Sequence, residues 1–329
     1  MKREASLPKL LQRKIYKTGQ TRGADDDEIY QNRVGRNSTV LIPYKVWSIA
    51  SYPPKGEDTF ENGFIVLISP KTYFSNPNIQ TELLREGLTL GQNAVVFYEA
   101  REDWLAFNPD SLGWSPASSR LSPLGGEYVA RISATTAAVA GKTIKLGFTS
   151  TENKGAGIRV YEYASKTTII SCRLQLEALF WMCRDADDIA ANHGMGSADI
   201  TTRRTANTTK CLELGLLDTD RFRAKRLISA NRLTMCPLCL EEVSAEGFFT
   251  RVEQAEGRGV LDLTITHLNL FHVEELRVGR YGHRPYNLGW GHHHCNVVVK
   301  DAGLDNTLEW MSEVVDKNAR AGYITPKRG

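Results

Sequence analysis

The sequence predicts an α+β fold, and three observations carry that reading. Six short β-rich runs lie between Val40 and Tyr163, the pattern turns helical after Ser165, and Cys and His residues crowd into the last third. Taken in order, these imply a mainly β domain over 1–165, a helical segment over 166–232 and a small cysteine- and histidine-rich module over 233–329. The length of 329 residues suits two or three domains.

The β-rich runs are STVLIPYKVWSI, GFIVLIS, NAVVFYEA, EYVARISATTAAVA, KTIKLGF and GIRVYEY. Turn signals such as SNPN and NPDSLGWSP separate them, and one helical insert is predicted near TELLREGL. After Ser165 the run IISCRLQLEALFWMCRDADDIAANHG has apolar residues at helical spacing and stops at a plausible cap, Asn192-His193-Gly194. A second helix is expected to start at Ser197 and run through TTRRTANTTKCLELGLL. Two helices across a glycine turn have the outline of a helix-turn-helix, and equally of a plain core hairpin or dimer surface. Cys172, Cys183 and Cys211 fall on these helices and read as buried small apolar residues.

Composition excludes several classes. With 41% hydrophobic and 24% charged residues, the chain is neither disordered nor fibrous. No apolar stretch approaches the roughly 18 residues of a membrane span, and MKREASLPKLLQRK has no apolar signal core, so a cytoplasmic protein with no membrane partner is expected. Net charge is only +3, but residues 1–45 hold ten Lys/Arg against five Asp/Glu, and residues 201–235 eight against three. Such blocks are the footprint of a phosphate-binding surface or of a solvated face. On charge alone, Arg22, Arg33, Arg36, Asn37, Arg203 and Arg204 are the candidate nucleic-acid contacts.

Six of the seven histidines lie between His267 and His294. Cys236-Pro-Leu-Cys239 is one half-site of a metal knuckle, and His292 with Cys295 is a second at the same internal spacing. Together they make a Cys₃His set, which suits a closed, structural Zn²⁺ site. His293 or His294 could stand in for His292, but only residue 292 reproduces the two-residue gap.

Between the half-sites lie an alternating run from Leu261 to Val273, a polar loop (RVGRYGHRP), Asn287-Leu288, and Asn296 directly after the last ligand. This order resembles the HNH, or ββα-metal, nuclease family over about 65 residues, 236–301. The resemblance implies a strand ending in a histidine general base, an asparagine on the second strand that ties the loop, and a helix whose first residues hold a divalent cation such as Mg²⁺. Histidine titrates near neutrality and suits the base, while an asparagine oxygen suits a hard cation.

His272, 15 residues before Asn287, is the preferred base, with His267 as the alternative. The family's acidic or histidine ligand before the base is replaced by Phe271 here, or by Thr266 before His267. Either Asn296 holds the cation with water and phosphate as the other ligands, or His267, Asn269, Glu274 or Glu275 substitutes, and loss of activity is a third outcome. His283 reads as DNA-facing or solvated. Pro109-Asp110 with Glu152-Asn153-Lys154 meets the loose pattern of another nuclease class, but its second half looks like a turn.

With a large recognition portion and no GxxxxGK[ST] motif, the whole chain looks most like a Type II restriction endonuclease, acting on double-stranded DNA as a homodimer. The alternatives are a homing-type nuclease and a zinc-containing DNA-binding regulator without cleavage activity.

Overall fold

The computed structural model describes residues 5–16, 39–49, 60, 63–134, 141–149, 158–159, 164–252, 266–274, 282–300 and 302–325. The chain forms two compact units, one of Met1–Arg33 with Lys166–Gly329, the other of Val34–Ser165. The first helix, α1 (Lys9–Tyr16), thus joins the C-terminal unit, although the sequence reading placed it with the β-rich half.

Unit Val34–Ser165 holds β1 (Val40–Pro43), α2 (Tyr44–Trp47), β2 (Phe64–Ile68), α3 (Pro70–Ser75), α4 (Ile79–Arg85), β3 (Ala94–Tyr98), α5 (Arg101–Ala106), β4 (Tyr128–Ile132), β5 (Ile144–Leu146) and β6 (Ile158–Arg159). Each of the six β-rich runs contains one strand. They form a single sheet in the order β5-β4-β3-β2-β1-β6. All pairings are parallel except β4 with β5.

The expectation of a mainly β domain is therefore corrected to a parallel-rich sheet with helical crossovers. A parallel pair cannot be closed by a tight turn, so α3 and α4 carry the chain from β2 to β3, and α5 carries it from β3 toward β4. The central strands show why: adjacent residues Ile65 and Val66 of β2 and Ala94, Val95 and Val96 of β3 are buried, the mark of strands covered on both faces. α3 starts sharply because Pro70 sits in its first turn and Ser69 accepts from the Thr72 N–H. α4 overlaps the segment TELLREGL read as helical and starts two residues before it.

The second unit contains α1, α6 (Lys166–Trp181), α7 (Ala186–Asn192), α8 (Ser197–Glu213), α9 (Thr219–Ala224), β7 (Leu268–His272), β8 (Leu288–His292), α10 (His293–Val299) and α11 (Leu304–Arg320). One core joins Leu11 and Ile15 of α1, Leu176, Leu179 and Phe180 of α6, and Phe271, Leu288 and Trp290 of the β7–β8 hairpin. The single long helix expected over 169–194 is two. The Thr234 N–H donates to the Met182 carbonyl and its hydroxyl to Leu179, so a distant residue takes the bonds that helix continuation would have made. Asp185 accepts from the Ala245 N–H and the Ser244 hydroxyl.

α8 lies on α6, where Asn207 and Cys211 both donate to the Leu174 carbonyl. Cys172, Cys183 and Cys211 are buried, and burial raises all three thiols. Among the described residues no helix is long and apolar enough to cross a membrane.

Close approach makes one glycine of the sheet unit irreplaceable. A Cβ at Gly126 would lie 2.5 Å from both the Pro116 carbonyl carbon and the Ser115 oxygen, in a segment fixed by the Ala117 N–H donating to the Tyr128 carbonyl of β4 and the Glu127 N–H donating to the Ser115 carbonyl. Gly126→Ala should destabilise the protein by roughly 1–3 kcal/mol or more and lower its thermal midpoint in calorimetry.

Candidate metal centre and hairpin site

The Cys236–Cys239 segment closes on itself through two backbone bonds, Cys236 N–H to Glu241 and Leu240 N–H to Cys236. Leu240 takes a left-handed φ of 63° to complete the turn. The second half-site spans a strand–helix junction: His292 is the last residue of β8 and the N-cap of α10, and Cys295 lies in the helix's first turn. Helical geometry thus carries the two-residue gap seen in the sequence.

The ligand atoms of Cys236, Cys239, His292 and Cys295 all lie within 4.8 Å of one another. The edges of a filled zinc–thiolate tetrahedron are about 3.8 Å, so the four donors need only a small closure to surround an ion. Cys239 Sγ and His292 Nδ1 are 3.2 Å apart. The neighbouring imidazoles point elsewhere, His293 Nδ1 to Asn269 at 3.2 Å and the exposed His294 in a stack on His292.

Electrostatics fit the same donor set. Burial raises the Cys236 thiol, but hydrogen bonds from His292 and from local backbone groups outweigh it and bring the group down to about 6. Cys239 and Cys295 are pushed up, first by burial and then by the negative charge on Cys236. His292 is raised by its bond with Cys236. Each sulfur that ionises makes the next harder to ionise, and a bound dication removes that opposition.

β7 and β8 pair antiparallel, with Leu268 opposite His292 at one end and His272 opposite Leu288 at the other. α10 packs against both strands, so the segment is strand, strand, helix in that order. Asn287 is buried just before β8; its Oδ1 accepts from the Glu274 N–H at 2.7 Å and its Nδ2 donates to the Gly282 carbonyl at 2.5 Å. The asparagine thereby ties the loop to the end of β7. Tyr286, at φ 63°, is held by its N–H to Gln175 and by Arg221 stacked 3.9 Å over its ring.

His272 and His267 fall at opposite ends of the hairpin. His272 is half-buried beside the Asn287 network, whereas His267 is exposed and sits next to the metal cluster, its carbonyl accepting from the His293 N–H. Asn296 is half-buried in α10, one residue beyond Cys295.

His283 corrects the sequence reading: it is buried, with its ring centroid 5.9 Å from that of His272. Burial drives its pKa down to about 3, helped by His272 and Arg173, so it is a neutral imidazole at the back of the loop. Phe271 is wholly buried in the core, and a Cβ at Gly291 would come within 2.5 Å of its ring, so the position of the family's acidic ligand is apolar.

Of the possible substitutes, Asn269 is bonded to Thr266 and His293 and accepts from Lys14, and Glu274 pairs with Lys225 and Arg284. Glu275 lies outside the described residues. Lys14 was read only as part of a basic surface, but it is buried and donates to the Leu268 carbonyl of β7 at 2.8 Å.

Arg22, Arg33, Arg36 and Asn37 also lie outside the described residues, as do Glu152, Asn153 and Lys154. Arg203 makes two bonds of 2.7 Å to the buried Glu177, and Arg204 makes two to Asp187. Asp110 sits in a 3-10 turn over Pro109–Leu112.

Residues 13–293 match the family model of the BstXI restriction endonuclease. A solved structure titled "Crystal structure of a type II restriction endonuclease" is 15% identical, over 49% of this chain and 55% of that one, with a TM-score of 0.28. The chain thus spans about half the length of that structure. No curated protein matches the chain.

Two outcomes are expected. Metal analysis of purified protein should find about one equivalent of zinc, and Cys236→Ser or Cys295→Ser should lose both the metal and soluble folded protein, because metal affinity at such a site is folding free energy. Buried His283 also makes stability pH-dependent. Between its folded value of about 3 and its ordinary value of 6.5 the unfolded chain binds a proton that the native state refuses. Stability therefore falls as pH drops below about 6.5, by at most about 1.4 kcal/mol per pH unit. Urea titrations across that range should show the slope in wild type and a shallower one in His283→Gln.

Proposed function

The chain belongs to the BstXI restriction endonuclease family, and from that premise we propose that it is a Type II enzyme that cleaves double-stranded DNA at a specific sequence. The observation that carries the mechanism is the strand–strand–helix segment, with His272 at the end of β7, Asn287 tying the loop and Asn296 in the first turn of α10. This strand–strand–helix order supports reading the segment as an HNH module.

In this reading His272 takes the proton from the attacking water, and its place beside the Asn287 network favours it over the exposed His267. Asn287 keeps the loop closed on the end of β7, which holds the base in position. Buried, neutral His283 packs next to the His272 ring and keeps a second positive charge away from it. Asn296, with phosphate and water oxygens, would hold a divalent cation such as Mg²⁺, which when bound neutralises charge on the phosphate and the departing 3′ oxygen. Cys236, Cys239, His292 and Cys295 would hold a structural Zn²⁺ that fixes the strand–helix junction. The enzyme works in the cytoplasm as a homodimer, since a two-fold symmetric site calls for a two-fold symmetric reader.

One observation favours a second reading. Phe271 fills the position of the usual acidic ligand with buried hydrocarbon, which suits a zinc-containing DNA-binding regulator that does not cleave.

Plasmid incubation separates the two. Wild type with Mg²⁺ should yield discrete fragments; His272→Ala should reduce the rate about 10²–10⁴-fold and Asn296→Ala should abolish it, while His267→Ala keeps most activity. Retention of activity by His272→Ala with loss in His267→Ala would reassign the base. Specific binding without cleavage in Mg²⁺ or Mn²⁺ would establish the regulator.

A further inference from the structure

Two residues past His272, Glu274 carries one cation on each carboxylate oxygen, with Lys225 Nζ at 2.5 Å from Oε1 and an Arg284 guanidinium nitrogen at 2.6 Å from Oε2. The three groups come from three places: the C-cap of α9, the residues just after β7, and the segment leading into Asn287. The Glu274 backbone is itself fixed, since its N–H donates to Asn287 Oδ1. The carboxylate is held below its ordinary range: burial raises it, but the bonds and charges of Lys225 and Arg284 outweigh that. Two cations meet one anion, so the group keeps a net positive charge beside the proposed base.

Folding alone does not account for this grouping. Lys225 and Arg284 remain 38% and 54% exposed, and pairs so open to water contribute little stability. Bringing a second cation to a carboxylate already paired also sets the two cations against each other. The arrangement does suit a ligand with more negative charge than one carboxylate supplies. Arg284 has five N–H donors and Lys225 three, and among the described residues each directs one bond to Glu274. The remaining donors make no other bond among the described residues and would meet an incoming oxyanion, with Glu274 holding the two heads in place beforehand.

We propose that Lys225 and Arg284, each held by one oxygen of Glu274, form a phosphate clamp that seats the DNA backbone next to the bond cut at His272. The clamp rests on the nuclease reading above. It positions the strand and takes no part in proton transfer, so its signature is electrostatic. Phosphate contacts release counterions, and each contact removed should lower the salt slope of binding by about one.

The test measures binding of a labelled duplex containing the cut site, without Mg²⁺, across a KCl series. Wild type, Lys225→Ala, Arg284→Gln, the double variant and Arg284→Lys are compared. Lys317→Ala serves as a control, since Lys317 is an exposed cation paired with Glu313 on α11. The clamp predicts a slope lower by about one in each single variant and by about two in the double, with Arg284→Lys and Lys317→Ala at the wild-type value. Arg284 is the more exposed, so Arg284→Gln gives a reading even where Lys225→Ala unfolds. Wild type that binds and cleaves, with unchanged slopes in Arg284→Gln and in the double variant, overturns the clamp alone. Wild type that neither binds nor cleaves overturns the nuclease reading and the clamp with it.

Discussion

Everything around the hairpin depends on the convergence of Cys236 and Cys239 with His292 and Cys295. The first pair sits in a self-closed turn and the second in the step from β8 to α10, so their meeting determines where the strand stops and where the helix begins. Without that constraint a seven-residue helix would be marginal, since so short a segment has little helical stability of its own. The hairpin is equally short. Its burial comes from outside, through Trp290 packed on Phe248 and bonded to the Leu176 carbonyl, and through Phe271 over Gly291.

A second layer of constraint is polar and surrounds Asn287. Its amide satisfies one backbone donor and one backbone acceptor on either side of the loop, and its own backbone is set by Tyr286, whose left-handed conformation is kept by Gln175 and Arg221. Buried polar groups of this kind are costly unless fully bonded, so the network is rigid and holds His272 and Glu274 at a defined distance from the second strand. α1 supports the other end: Lys14 reaches the Leu268 carbonyl and the Asn269 side chain. The N-terminal basic segment therefore has at least one structural lysine, and charge counting alone does not separate it from the surface ones.

The unit Val34–Ser165 follows a different logic. Its strands are short, the central ones are largely buried, and its crossovers are small helices, some of which carry little apolar periodicity of their own. α5 has no buried residue, so no stripe marks it in the sequence. Aromatic side chains complete the packing, with Tyr98, Trp104 and Tyr128 in mutual edge contacts and the Tyr98 hydroxyl donating to the Phe107 carbonyl.

Local chemistry along the chain was enough to locate the six strands, the end of α7, the start of α8 and the two half-sites Cys236–Cys239 and His292–Cys295, because each depends on residues only a few positions apart. Whether strands pair parallel or antiparallel, which unit claims α1, where the long helix breaks and whether His283 faces water all depend on partners far away in the chain. Thr234 interrupts a helix 52 positions earlier, and Lys14 meets a strand 254 residues later. Such contacts leave no periodic trace in either segment. They arise only when the whole core closes, and that closure also turned a loop histidine into a buried neutral group and a surface-seeming lysine into a strand anchor.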